Sequence, residues 1–377
     1  MATVVGIIFS NIHDRSIPEL TKIRTMASVP FGSRYRLIDF TLSNMVNAGL
    51  THVGVITNYN YQSLIGHVGS GKSWDLARRA GGVDILPPYV TAFGSPQSFV
   101  HSTRLEALKN ISDYISDCTE DYVIISDCDI VCNLDLAKMI EEHIESRADI
   151  TMMIKRTYLV GSSAGDTTIV ESDENGCVTA ISEYVGKDGG YKDVCTSVMV
   201  MKRTLLESIL LESSARNYSS FTNDVLPSYI AGRRVRAFRH EGYFAIINSM
   251  QSYYMCNMDL LNEDVRHEVF TADGRPILTK IKNSPPTVYA AGANVKNSLI
   301  ADGCVLNGSV ENSILFRGVR IGKNSHVKNC ILMQDTIVGD NVTLDSVITD
   351  KNAVIRDGRN LAGHSTLPFF VGKFVQV

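Results

Sequence analysis

Two stretches of the chain bear on phosphate chemistry, one by its place after a buried strand and one by the letters of its motif. The first is the loop after the opening apolar run. Thr3-Val4-Val5-Gly6-Ile7-Ile8-Phe9 reads as a strand buried on both faces, and Ser10-Asn11-Ile12-His13-Asp14-Arg15-Ser16-Ile17-Pro18 comes directly after it. In an open α/β sheet, ligands sit beyond the carboxyl ends of the strands. This loop therefore lies where a nucleotide phosphate would be held. A loop that wraps an anion needs glycine, whose bare backbone can turn N–H groups onto it. This one has none. The second stretch, Gly66-His67-Val68-Gly69-Ser70-Gly71-Lys72-Ser73, satisfies GxxxxGK[ST] letter for letter. That chemistry requires a strand running into the first glycine and a helix opening at the lysine. Here the preceding strand ends at Thr57 and Tyr59–Ile65 reads as a short helical or irregular segment. Gly81-Gly82 and Pro87-Pro88 interrupt the segment after Ser73. The match is read as a coincidence of letters.

The elements that must position these loops have an alternating pattern. His52–Thr57, Tyr122–Ser126 and Ile150–Ile154 are apolar runs of strand length. Arg34–Ala48, Thr103–Ser116 and Leu136–Ser146 carry helical spacing between them. Such alternation predicts an α/β domain with a mostly parallel sheet and right-handed crossovers. Thr167–Met201 is richer in strand, with Asn175-Gly176 as a turn. After Asn283-Ser284-Pro285-Pro286 the character changes. Val295, Ile300, Val305, Val310, Ile314, Val319 and Val327 recur at an average spacing of about five to six residues, with small or polar residues between. That period fits hexapeptide-type coils of a parallel β-helix. The expected division is an α/β domain over 1–275 and a linker plus β-helix over 276–377.

The totals exclude several classes. The chain has 377 residues, 44% hydrophobic and 20% charged, with a net charge of -4. Nothing drives it toward nucleic acid or an anionic membrane. No apolar run is long enough to span a bilayer and no signal peptide precedes the first strand, so a cytoplasmic location is expected. The eight cysteines are scattered without a CxxC pair and are expected to be reduced thiols.

Pro30-Phe31-Gly32-Ser33-Arg34-Tyr35-Arg36-Leu37-Ile38-Asp39-Phe40 with Leu42-Ser43-Asn44 resembles the PFGGxYRxIDFxLSN stretch of glucose-1-phosphate adenylyltransferases, the ADP-glucose pyrophosphorylases. Ser73-Trp74-Asp75-Leu76, Gly81-Gly82-Val83 and Leu86-Pro87-Pro88-Tyr89 resemble the family's PWDL…GGVxxLPPY. Val235-Arg236-Ala237-Phe238 with Gly242-Tyr243-Phe244 resembles its VxAYxxxGYW. The resemblance covers nearly the whole chain. It implies a Rossmann-like nucleotidyltransferase domain leading into a left-handed parallel β-helix. It also implies the joining of ATP to glucose 1-phosphate, giving ADP-glucose and pyrophosphate for glycogen synthesis. Such chemistry rests on positioning, Mg²⁺ and cationic groups around phosphoryl oxygens.

Set against the family's motifs, the chemical positions of this chain are depleted. The family's GGxGxRL loop is Asn11-Ile12-His13-Asp14-Arg15-Ser16-Ile17. Its glycines are gone, Ser16 replaces the arginine, and Asp14 is expected to face any triphosphate with a negative charge. Met26 stands where the family has a lysine. Asp129 matches the aspartate of the family's SGDH metal motif, with Asp127 beside it. The second metal aspartate, from DVGT, is Ile246, which cannot ligate a metal. In the sugar-phosphate motif EFVEKP, Glu183 and Lys187 persist while Gly186 and Asp188 replace the flanking Glu and Pro. The family's TQY is Thr57-Asn58-Tyr59, and its WYxGTA is Phe99-Val100-His101-Ser102-Thr103-Arg104. The pattern resembles the catalytically deficient D-type subunit of the enzyme. It implies a chain without a cofactor of its own, in a complex that uses Mg²⁺. The implied partner is a catalytic ADP-glucose pyrophosphorylase subunit, in a heterotetramer responsive to small phosphorylated effectors. Arg34 and Arg36 are the candidates for an effector or interface contact. An active enzyme with a rearranged site, using Asp129, Asp127, Lys187 and Arg15, and a sugar-phosphate-binding scaffold are the alternatives.

Overall fold

The computed structural model describes residues 2–88, 103–159, 167–186 and 189–377. Strand Val4–Phe9 is buried from Val5 onward, as an unbroken apolar run requires at the centre of a covered sheet. It pairs in parallel with Tyr122–Asp127 on one side and His52–Ile56 on the other, and Gly82–Leu86 extends the set. Beyond Tyr122–Asp127, strand Gly190–Lys202 runs antiparallel. Next come Ile150–Leu159 and then Val235–Arg239, parallel to it. A single reversed strand thus interrupts this otherwise parallel path. A hairpin of Thr168–Ser172 and Val178–Glu183 hangs from Gly190–Lys202. Its turn is the expected one: Asp173 Oδ1 accepts from the N–H groups of Asn175 and Cys177.

Alternate residues of Val4–Phe9 enter different cores, as the two-residue period of a strand dictates. Ile8 joins helix Leu37–Asn47 on one face. Val5, Ile7 and Phe9 join helices Arg104–Asn110 and Arg203–Ala215 on the other. Gly6 lets helix Leu37–Asn47 approach closely, since a Cβ there would lie 2.5 Å from Met45 Sδ. That helix starts later than the sequence pattern suggests. Tyr35–Arg36 instead pairs antiparallel with Pro30–Phe31, around Gly32 and Ser33 in left-handed conformations. The helical run expected over Thr103–Ser116 is two helices, Arg104–Asn110 and Ser112–Asp117. It breaks at Ile111 within a run of weak helix formers, Asn110-Ile111-Ser112.

From Val288 the chain forms three parallel sheets of five short strands each, the faces of a left-handed parallel β-helix. Val295, Val310, Val327 and Leu344 stack in one column and fill its interior. Corners fall on Asn297, Asn312, Asn329 and Ser346 at positive φ, a conformation asparagine tolerates through local hydrogen bonding. The two parts share one core: Ile314, Phe316, Ile331, Met333 and Ile348 pack with Tyr253, Tyr254 and Leu260. Arg24 reaches across to Asp350, donating to both carboxylate oxygens at 2.9 and 2.8 Å within the buried seam. All eight cysteines are free thiols. Among the described residues no helix is long and apolar enough to cross a membrane.

Candidate functional site

The loop after Val4–Phe9 is folded onto itself. It closes in a tight turn, in which the Asp14 N–H donates to Asn11 O and the Ser16 N–H to His13 O. Asn11 Oδ1 accepts from Ser10 Oγ, Thr57 Oγ1 and the Asn58 N–H, each at 2.8 Å. Its Nδ2 donates to Asp14 Oδ2 at 2.5 Å and to Tyr59 O at 3.2 Å. The expectation that Asp14 turns a charge toward a triphosphate is corrected by the structure. Asp14 is buried and aimed inward, its Oδ1 accepting from the Met26 N–H at 2.6 Å. Burial pushes its carboxyl up to about 7, against the bonds from Met26 and Asn11. Met26, at the family's lysine position, is a buried core side chain. Ser16 ends a short 3₁₀ turn over Asp14–Ser16, and Ile12 lines the cleft beyond the strands.

At the carboxyl end of Tyr122–Asp127 the pair Asp127 and Asp129 is 2% and 3% exposed. Two cations sit on it. Arg104, the first residue of its helix, donates Nε to Asp127 Oδ1 at 3.0 Å and to Oδ2 at 3.1 Å, and Nη2 to Asp127 Oδ2 and to Ser197 Oγ. His13 Nε2 lies 3.2 Å from Asp127 Oδ2, 3.7 Å from Asp129 Oδ2 and 3.0 Å from Arg104 Nη2. Burial works against a charge on His13. The charges of Asp129 and Asp127 outweigh it and raise the imidazole to about 9. Burial likewise opposes ionisation of Asp127, yet Arg104 and His13 hold its carboxyl well below the usual range. Asp129 is raised, by burial and by the neighbouring charge of Asp127.

Ile246 is brought to this place. Its strand, Phe244–Ile246, pairs antiparallel with Ile130–Cys132 in the register Ile246↔Ile130, and the Ile247 N–H donates to Asp129 O at 2.8 Å. The fold thus delivers an aliphatic residue beside Asp129. The donor atoms of His13, Asp127 and Asp129 are close enough to share a metal. Magnesium takes oxygen ligands in a near-ideal octahedron and keeps several waters. A guanidinium lying along Asp127 and an isoleucine beside Asp129 do not fit such an ion.

The remaining expected residues separate. Glu183 lines an open cleft of about 260 Å³ with His13, Arg104, Ser197 and Asn223. Asn223 Nδ2 lies 3.4 Å from its Oε1. Asn58 is outside this cleft and buried, its N–H engaged by Asn11. Lys187 lies outside the described residues, as do Phe99–Ser102. Gly66 belongs to helix Gln62–Val68 and Lys72 opens only a 3₁₀ turn, so no strand-to-helix phosphate loop exists there.

Arg34 and Arg36 lie elsewhere, in a cleft between the α/β part and the β-helix. Lys280, Lys282, Arg317 and Lys351 line it with them, and among the described residues no carboxylate does. Arg36 donates Nη1 to Ser63 O at 2.8 Å and to Ser63 Oγ at 2.9 Å. Burial, with Arg36 and Arg24 nearby, lowers the Lys351 ammonium to about 7. Arg24 Nη1 is buried without a hydrogen-bond partner.

Sequence reasoning passed over His13 and Arg104 as site residues. His13 carried no signal in a loop read for missing glycines. Arg104 did carry one: an arginine in place of the family's final alanine in WYxGTA, at the start of a helix facing two carboxylates.

Fold and site together define a nucleotidyltransferase-type chain. The family model "Nucleotidyl transferase" matches residues 17–263, and "GlmU-like, C-terminal hexapeptide" matches 287–365. The chain belongs to the glucose-1-phosphate adenylyltransferase family of glycogen biosynthesis and fits its D type. It is 35% identical over 375 residues to the glycogen biosynthesis protein GlgD of Bacillus subtilis (strain 168), covering 98% of this chain and 96% of the relative. It is 34% identical over 345 residues to the glucose-1-phosphate adenylyltransferase of Bacillus thuringiensis (strain Al Hakam), covering 90% and 89%. For the Geobacillus stearothermophilus glucose-1-phosphate adenylyltransferase the identity is 36% over 306 residues, covering 80% and 77%.

Proposed function

We propose that this chain is a non-catalytic regulatory subunit of glucose-1-phosphate adenylyltransferase, which pairs with a catalytic homologue in a cytoplasmic hetero-oligomer, a heterotetramer, and modulates its rate. The observation that carries this reading is the state of the carboxylate pair, covered by Arg104 and His13 beside Ile246. The polar groups of the loop above it are spent on one another. Such a site offers neither free loop donors nor an open carboxylate pair for a metal, the groups that stabilise charge on a transferring phosphoryl group. Magnesium is then used by the catalytic partner and not by this chain.

The cation-lined cleft supports an effector role. Arg34, Arg36, Lys282 and Lys351 converge at the seam between the α/β part and the β-helix, where a small phosphorylated effector would find matching charge. A ligand that binds one arrangement of the seam better than another shifts the whole complex.

The test is a mixing assay. Alone, with ATP, glucose 1-phosphate and Mg²⁺, the chain should form no ADP-glucose above a blank. Mixed with the catalytic subunit, it should co-elute as one oligomer and alter that subunit's kcat or effector response. Robust turnover by the chain alone, or separate elution with unchanged kinetics, contradicts the proposal.

A further inference from the structure

We infer that Arg104 is a resident counter-ion, occupying the place of a divalent cation on Asp127 and Asp129 and excluding metal from it. The inference goes beyond the regulatory reading and does not rest on it.

Two carboxylates removed from water require positive charge, and an unpaired one is costly. Arg104 supplies it in the geometry that suits a carboxylate best. Its Nε reaches both oxygens of Asp127 and its Nη2 adds a further bond. The surrounding chain is built to hold that guanidinium. Thr103 caps the helix through a reciprocal pair with Glu106, which fixes the backbone at Arg104. A register shift in strand Gly190–Lys202, between Cys195 and Met199, carries Ser197 at a φ of 62°. Bulges re-aim side chains, and this one delivers Ser197 Oγ to Arg104 Nη2 at 2.9 Å. The first residue of a helix is also a poor place for a cation, because the helix dipole is positive there. The carboxylates must therefore be what holds it.

A metal ion leaves when its concentration falls, whereas a tethered guanidinium does not. One side chain, Arg104, thus provides both the charge and the occlusion. His13 completes the cover from the loop side, 3.0 Å from the same Nη2.

The experiment is a Mn²⁺ titration of the full-length chain, read by the EPR signal of free Mn²⁺ and by thermal unfolding. Wild type should show no Mn²⁺ site that Asp129→Asn removes, and its Tm should be the same in Mn²⁺ and in EDTA. Arg104→Ala should unfold at lower temperature in EDTA, gain one Mn²⁺ site per chain and recover Tm as that site fills. Adding Asp129→Asn to Arg104→Ala should abolish both gains. If Arg104→Ala does not fold unaided, Arg104→Met, which keeps much of the side-chain volume, is titrated in its place. A wild-type Mn²⁺ site that depends on Asp129 overturns the inference, as does a folded Arg104 variant that gains none.

Discussion

The Asp14 carboxylate accepts a hydrogen bond from the Met26 backbone N–H at 2.6 Å, tying the loop after the first strand to the segment that leads into Pro30–Phe31. The bond is buried, and burial raises the Asp14 carboxyl to about 7 from an ordinary 3.8. A folded-state value above the unfolded one means that the folded chain holds the proton more tightly. Its contribution to stability is complete below about pH 4 and is lost as pH rises toward 7. Measured by urea unfolding, the stability of wild type relative to Asp14→Asn, which cannot titrate, should therefore fall across that window. A difference between the two that is constant from about pH 4 to 7 would contradict the assignment.

The pair of Arg24 and Asp350 joins the α/β part to the β-helix, and both side chains are 3% exposed. Breaking one member leaves a buried charge uncompensated, at a cost of about 3–5 kcal/mol. Arg24→Met or Asp350→Leu alone should lower the unfolding free energy by about that amount. The double variant should recover most of the loss, because two apolar groups leave no stranded charge. Chemical denaturation of the three variants measures this directly. Additive losses would show that the pair is not coupled.

Much of the architecture is legible in residue order because it rests on local period. The apolar run Val4–Phe9 and the column from Val295 to Leu344 each repeat at the spacing of the element they build. The helix split at Ile111 and the late start at Leu37 were hidden, since pairing with Pro30–Phe31 outweighs helical spacing at Tyr35 and Arg36. Ile246 was legible as a lost carboxylate because it stands at the aspartate of the family's DVGT motif, while the pairing with Ile130 that brings it beside Asp129 was not. The cations on Asp127 were not. His13 and Arg104 are 91 residues apart, and neither neighbourhood carries a pattern that announces the other. Asp14 was legible as an acid but not in its direction, which only the position of the Met26 N–H decides.

The cleft between Arg34, Arg36 and Lys351 should bind a divalent anion more tightly as Lys351 gains its proton. Burial lowers that ammonium to about 7, so it is mostly a cation at about pH 6 and largely neutral at about pH 8. Sulfate keeps its charge across this range. Its stabilisation of the chain, read as the rise in Tm, should be greater at about pH 6 than at about pH 8. Lys351→Met should remove that difference, and Arg36→Met should weaken sulfate stabilisation at both pH values. Equal sulfate effects in wild type and both variants would place the anion elsewhere.

Recovery of adenylyl transfer must meet at least three separate defects, and meeting one should leave the others limiting. Asn11→Gly, Ile12→Gly, Asp14→Gly and Ser16→Arg together restore the glycines and arginine of the family's loop but release the bond to the Met26 N–H and leave Arg104 on Asp127. That loop variant should form no ADP-glucose. Ile246→Asp adds a carboxylate next to Asp129, yet with the guanidinium still in place the metal has no free pair to enter. Only the loop replacement combined with Ile246→Asp and Arg104→Ala should give measurable Mg²⁺-dependent ADP-glucose synthesis. Catalysis by such a site depends on loop donors and metal acting as a unit, so partial restorations should not add. Turnover in the loop variant with Arg104 and Ile246 unchanged would show that the covered carboxylates were never what held the chain inactive.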